Sequence, residues 1–153
     1  MVDNPPIASV RPSAAQKTRA RLLAALYLAQ EQAGWLSPEA IQRVATRLEL
    51  SPGQVYATAS FYTLFKLKPQ GKYLVQVCEG LSCYLAGGAE PLIAQLSQKL
   101  KIGPGETTPD GKFSLEVVEC LAACGKAPSL RINDELYEAM TPEAMDELLE
   151  KLV

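Results

Sequence analysis

The 153-residue sequence predicts an α+β fold in two parts: three N-terminal helices, then a domain whose elements run β, α, β, β, α. Three observations carry this. Residues 13–65 hold helix-start signals and apolar residues at helical spacing. From Tyr73 onward, short β-rich runs alternate with helical patterns. Between them, Lys66-Leu67-Lys68-Pro69-Gln70-Gly71-Lys72 breaks the pattern with proline and glycine. The expected division is a flexible tail over 1–12, a helical subdomain over 13–68 and a second domain over 69–153.

The tail contains Pro5, Pro6 and Pro12 and no periodic pattern. A first helix is expected over 13–33, marked by Leu22, Leu23, Leu26, Tyr27 and Gln30, with Gly34 suited to a left-handed stop. Ser37-Pro38-Glu39 is a helix start: a capping hydroxyl, proline in the first turn, then an acid near the positive end. Ile41, Val44, Ala45 and Leu48 follow as one apolar stripe. Ser51-Pro52-Gly53-Gln54 is a second start with a capping-box glutamine, and that helix is expected to reach Phe65. Together these predict a three-helix bundle. The aromatics Tyr56, Phe61, Tyr62 and Phe65 read first as its packing and second as a docking surface.

Tyr73 to Cys78 reads as a short strand, and Gly80, Gly87 and Gly88 as a loose loop after it. A helix is expected over 91–100, with Leu92, Ile93, Leu96 and Leu100 inward. Gly103 to Gly111 is a turn-rich loop. Its Gly-x-Gly follows a helix and precedes a strand, the reverse of a dinucleotide fingerprint, so no phosphate role is expected. Phe113, Leu115 and Val117 alternate on the next strand. Ser129 to Glu138 reads as a hairpin, and Thr141-Pro142-Glu143 opens a last helix with Met145, Leu148, Leu149 and Leu152 on one face.

The composition narrows the chemistry. There is no histidine, so Ser-His-Asp and Cys-His nucleophiles, a Rieske centre and Cys/His zinc fingers are excluded. A net charge of −2 argues against a large nucleic-acid footprint. Residues 1–68 hold 8 Lys and Arg against 4 Asp and Glu; residues 69–153 hold 7 against 13. That asymmetry reads as solvated helix faces, or as an acidic half facing a basic partner. No apolar run is long enough for a membrane span, and Met1 to Arg11 lack a signal-peptide core, so reduced cytosolic cysteines are the expectation. Glu143 and Glu147 at helical spacing read as a solvated face, and no Walker A motif is present.

The chemistry therefore centres on four cysteines: Cys78 and Cys83, four residues between them, then Cys120 and Cys124, with three between. Two loops supplying two thiolates each suit a [2Fe–2S] cluster. A four-cysteine zinc site is also compatible with these gaps. A disulfide pair suits secreted chains, and thiol redox chemistry favours a Cys-x-x-Cys pair that is absent. The β, α, β, β, α order, with a cysteine loop after each of the first two strands, is a thioredoxin-like layout. Zinc knuckles need no such scaffold, and the balance moves toward iron and sulfur.

The residues carry a resemblance as well. Val77-Cys78 through Cys83, Ile102-Gly103-Pro104-Gly105-Glu106-Thr107-Thr108-Pro109-Asp110-Gly111-Lys112-Phe113, Val118-Glu119-Cys120-Leu121-Ala122-Ala123-Cys124 and Ala127-Pro128 resemble the 24-kDa-type [2Fe–2S] subunit of NADH:quinone oxidoreductase, respiratory complex I. Gly34-Trp35-Leu36 and Ala59-Ser60-Phe61-Tyr62 look like the same family, so the likeness spans about residues 15–152. It implies a helical bundle followed by a thioredoxin-like ferredoxin domain. It implies one [2Fe–2S] cluster on Cys78, Cys83, Cys120 and Cys124. It further implies a flavoprotein partner holding FMN and NAD(H), further iron–sulfur subunits, and a cytoplasmic place or one at the inner face of the membrane through the complex. Similar subunits serve NAD-dependent formate dehydrogenases, bidirectional hydrogenases and electron-bifurcating complexes. The chain would then be part of an oxidoreductase while catalysing nothing alone. A free-standing ferredoxin needs no helical arm; a zinc-stabilised interaction module is the remaining alternative. One departure stands out: Ala122 occupies a position where the family often has glycine.

Backbone N–H groups around Gly80, Ser82, Ala122 and Gly125 are the expected donors to sulfur, each favouring the reduced, more negative state. Glu79 and Glu119 would oppose reduction and Lys126 would favour it.

Overall fold

The computed structural model describes residues 13–152. The expected tail over 1–12 lies outside the described residues. Contacts divide the chain into two compact units, with the boundary between Pro69 and Gln70.

In the first unit, helices α1 (Ala14–Glu31), α2 (Pro38–Leu48) and α3 (Pro52–Phe61) share one apolar core. Leu22 and Leu26 of α1 enter it, whereas Leu23 and Tyr27, expected on the same stripe, lie on the surface. Gly34 takes the left-handed conformation at φ +74° after α1. Ser37 Oγ accepts the Ala40 N–H at 3.1 Å, and Ile41, Val44, Ala45 and Leu48 are all buried. Ser51 and Gln54 form the expected capping box.

Helix α3 stops at Phe61, four residues before the expected end. Tyr62 is extended, and the Phe65 N–H turns back to the Tyr62 carbonyl at 3.0 Å. On a continued helix Phe65 would point about 120° away from Ala59. The break lets Phe65 enter the core instead. Gln30 secures that segment: its amide donates to the Leu64 carbonyl and accepts the Lys66 N–H at 2.6 Å. Tyr56, Phe61 and Tyr62 remain exposed, so of the four aromatics only Phe65 packs as first read.

The second unit is a four-stranded mixed sheet in the order β2-β1-β3-β4. Its strands are β1 (Tyr73–Cys78), β2 (Phe113–Val118), β3 (Leu130–Ile132) and β4 (Glu135–Tyr137). Strand β1 runs parallel to β2 and antiparallel to β3; β3 and β4 form the expected hairpin. Helices α5 (Ala89–Leu100) and α6 (Pro142–Leu152) supply Leu92, Leu96, Met145 and Leu149 to a core with Val75, Val77, Leu115, Leu130 and Ile132. Full burial of each large side chain contributes about 2 kcal/mol. Helix α5 starts two residues earlier than expected, because Pro91 sits in a first turn whose N–H groups need no helical partner.

On the other face of β1, Gln76 is buried among polar neighbours. Its amide donates to Glu116 at 2.8 Å and accepts from Arg131 at 2.6 and 2.9 Å, bridging three strands. The Gly103–Gly111 loop folds back on β2. The Gly103 N–H donates to Glu106 and the Gly105 N–H to the Leu115 carbonyl, so these amides are already used within the chain. Among the described residues there are six α-helices, and none is long and apolar enough to cross a membrane.

Candidate metal centre

One of the four cysteines closes a strand, one rides a short helix and two lie on the turns beyond β2. Cys78 closes β1, and its N–H donates to the Ser129 carbonyl at 3.2 Å. The stretch expected as a loose loop instead contains a short helix, α4 (Leu81–Leu85), which carries Cys83. Glycines bound it: the Gly80 carbonyl accepts the Tyr84 N–H, and Gly87 takes φ +69° beyond it. Leu81, Tyr84 and Leu85 project from this helix into solvent.

Two glycines permit the close packing of the site. A Cβ on Gly80 would lie 2.6 Å from the Glu119 carbonyl oxygen, so the second cysteine segment runs directly against the first. A Cβ on Gly88 would lie 1.8 Å from the Pro128 ring. The Ala127–Pro128 peptide is cis.

The two pairs differ in environment. Cys78 and Cys83 are 3% and 2% exposed, whereas Cys120 and Cys124 are open to solvent. Burial pushes the Cys78 thiol up, but the Gly80 N–H, the Cys83 thiol and the Leu121 N–H outweigh it and hold Cys78 below its ordinary value. Burial pushes Cys83 up, and the adjacent Cys78 sulfur adds to this against the Ser129 hydroxyl. Cys83 Sγ lies 3.6 Å from Ser129 Oγ, and Cys78 Sγ lies 3.9 Å from the Glu119 carbonyl. Cys120 Sγ accepts the Ala122 N–H at 3.2 Å. Ala122 has φ +59°, the left-handed region that favours glycine. Cys124 opens a 3-10 turn through Lys126.

Two of the donors expected from sequence, the N–H groups of Gly80 and Ala122, do face sulfur. Leu121 N–H and the Ser129 hydroxyl were missed, because neither belongs to a local pattern. The Lys126 ammonium pairs with Glu138 at 3.0 Å, so part of its charge is offset. Glu143 and Glu147 are exposed on α6. All four cysteines are free thiols, which leaves the disulfide reading without a bond. The structure brings Cys78 to Cys83 and lays the Leu121 amide against Cys78. Among the described residues, no three or more Cys, Asp or Glu side chains converge as ligands of a single metal ion. The donor chemistry fits an iron–sulfur group: soft sulfur ligands, with N–H and O–H groups directed at them.

The fold and this donor set define a class of protein: a thioredoxin-like frame that carries a sulfur-ligated redox centre. Over residues 9–153 the chain matches the family model described as thioredoxin-like [2Fe-2S] ferredoxin, and it belongs to that family. One [2Fe–2S] cluster is its cofactor, which sets zinc aside. NADH-quinone oxidoreductase subunit 2 of Thermus thermophilus is 46% identical over 132 residues, covering 86% of this chain and 72% of that protein. An NADH-quinone oxidoreductase subunit of Rickettsia bellii is 45% identical over 135 residues, covering 88% of this chain and 80% of that protein. The crystal structure of an NAD+-reducing [NiFe]-hydrogenase in the air-oxidized state superposes with a TM-score of 0.77 at 30% identity. That match covers 86% of this chain but only 22% of the hydrogenase chain.

Proposed function

We propose that this chain is the iron–sulfur electron-transfer subunit of an NADH dehydrogenase module. It holds one [2Fe–2S] cluster on Cys78, Cys83, Cys120 and Cys124 and exchanges single electrons with the FMN of a partner NADH-binding flavoprotein. The observation that carries this is the arrangement of two cysteine segments in contact, with N–H and O–H donors directed at their sulfurs, in a chain of this family. When bound, the cluster supplies a one-electron centre. The protein's residues supply thiolates, donors that stabilise added negative charge, and a buried wall at Cys78 and Cys83.

The parent complex in this reading is a quinone oxidoreductase, since relatives of that name are 45–46% identical against 30% for the hydrogenase. Further iron–sulfur subunits complete it. The complex works in the cytoplasm, peripheral to the inner face of the membrane. The helical part over 13–68 acts as a three-helix bundle and 69–153 as the cluster domain. Exposed Tyr56, Phe61 and Tyr62 on the first unit, and Leu81, Tyr84 and Leu85 on the second, offer apolar area to partner subunits.

The test is anaerobic purification with iron and acid-labile sulfide analysis. Two of each per chain, with visible absorption bleached by dithionite, are expected. Replacing any one of the four cysteines by serine should remove most of both. A colourless protein without sulfide would refute the assignment. Co-purification with an FMN-containing chain tests the partner.

A further inference from the structure

We propose that the Ser129 hydroxyl is a hydrogen-bond donor to the buried cysteine sulfurs, Cys83 first, and sets the redox potential from the buried side of the centre. This rests on the reading of Cys83 as an iron ligand.

Ser129 is 1% exposed, and its Oγ lies 3.6 Å from Cys83 Sγ. A hydroxyl can donate or accept, but a thiolate carries no hydrogen. Once Cys83 is deprotonated to bind iron it can only accept, so the hydroxyl is the donor in this contact, with the neighbouring Cys78 sulfur as its second acceptor. The same residue accepts the Cys78 N–H through its carbonyl at 3.2 Å. One position thus grips the backbone of one ligand and the sulfur of the other.

Its neighbours hold it there. The ring of Pro128 packs on Gly88, with no room for a Cβ, and the Pro128 carbonyl accepts the Met140 N–H at 2.9 Å. On the other side Leu130 begins β3 and pairs with Val77, next to Cys78. The hydroxyl is therefore supported on both sides and faces a buried sulfur. A donor so placed stabilises the more negative, reduced state more than the oxidised one. Ser129 is a positioning residue, acting on the centre through Cys83.

The experiment compares the full-length holoprotein with Ser129→Ala, Ser129→Thr and Ser129→Val in an equilibrium redox titration, with iron and sulfide measured on each. Loss of the hydroxyl in Ser129→Ala should shift the one-electron equilibrium about tenfold toward the oxidised state, about 59 mV lower. Ser129→Thr should restore most of it. Thr and Val match in shape, so a Val potential below that of Thr isolates the hydroxyl. An Ala variant with full iron and sulfide and the parent potential overturns the proposal. So does a Val variant that titrates with Thr, or cluster loss in Ala, Val and Thr alike, since shape rather than the hydroxyl then matters. Cluster loss in Ala and Val but not in Thr supports it. A parent chain without iron and sulfide overturns instead the underlying assignment of Cys83.

Discussion

The first cysteine pair is built into the domain, and the second is laid on its surface. Cys78 ends a central strand and Cys83 rides a helix closed by glycines, both nearly inaccessible. Cys120 and Cys124 lie on turns beyond β2, exposed, one of them bonded to the backbone of a left-handed alanine. Packing alone buries the first pair. The second pair, exposed on turns, has less packing to hold it.

The largest test of that contrast is a pair of glycine substitutions. Gly88→Ala drives a methyl into Pro128 and should cost on the order of 3 kcal/mol, read from urea denaturation. Gly125→Ala has open space around it and should change stability by less than about 0.5 kcal/mol. Equal costs would erase the distinction between the two loops.

Thiol accessibility gives the next effect. In chelator-stripped, folded protein, Cys120 and Cys124 should alkylate at least about tenfold faster than Cys83, which combines burial with a raised thiol value. Mass spectrometry of timed samples measures this, and uniform labelling would contradict it.

Ala122→Gly should stabilise the apo chain by about 0.5–1 kcal/mol. It removes the left-handed penalty of φ +59°, partly offset by glycine's greater freedom when unfolded. A lower denaturation midpoint would show that the methyl contributes packing.

Lys126→Glu should lower the midpoint potential least, by less than about a threefold shift in the one-electron equilibrium, because Lys126 is exposed and already paired with Glu138. An unchanged or raised potential in a redox titration would count against any electrostatic role.

Much of the fold is legible in the chain because its signals are local. The Ser37 cap, the Ser51–Gln54 box and the Ile41-Val44-Ala45-Leu48 stripe each act within seven residues, and each is present in the structure. The Asn133-Asp134 turn between β-rich runs does the same for the hairpin. The misreadings share the opposite property. The end of α3 depends on where Phe65 finds the core. The α4 helix lies within a glycine-bounded stretch that reads as loop. Ser129 is one serine among many until a fold places it beside Cys83.

By itself the sequence determined the candidate ligand set: four sulfurs, no imidazole, two short spacings and the strands that lead to them. Only the tertiary structure decided which sulfurs are buried, which amides face them, and that the Glu119 carbonyl fits against Gly80. Those relations join residues 41 and 46 positions apart, Cys78 to Glu119 and Cys83 to Ser129. Side-chain patterns encode each element, whereas contacts between elements follow from sheet register and from the one packing that fills the core.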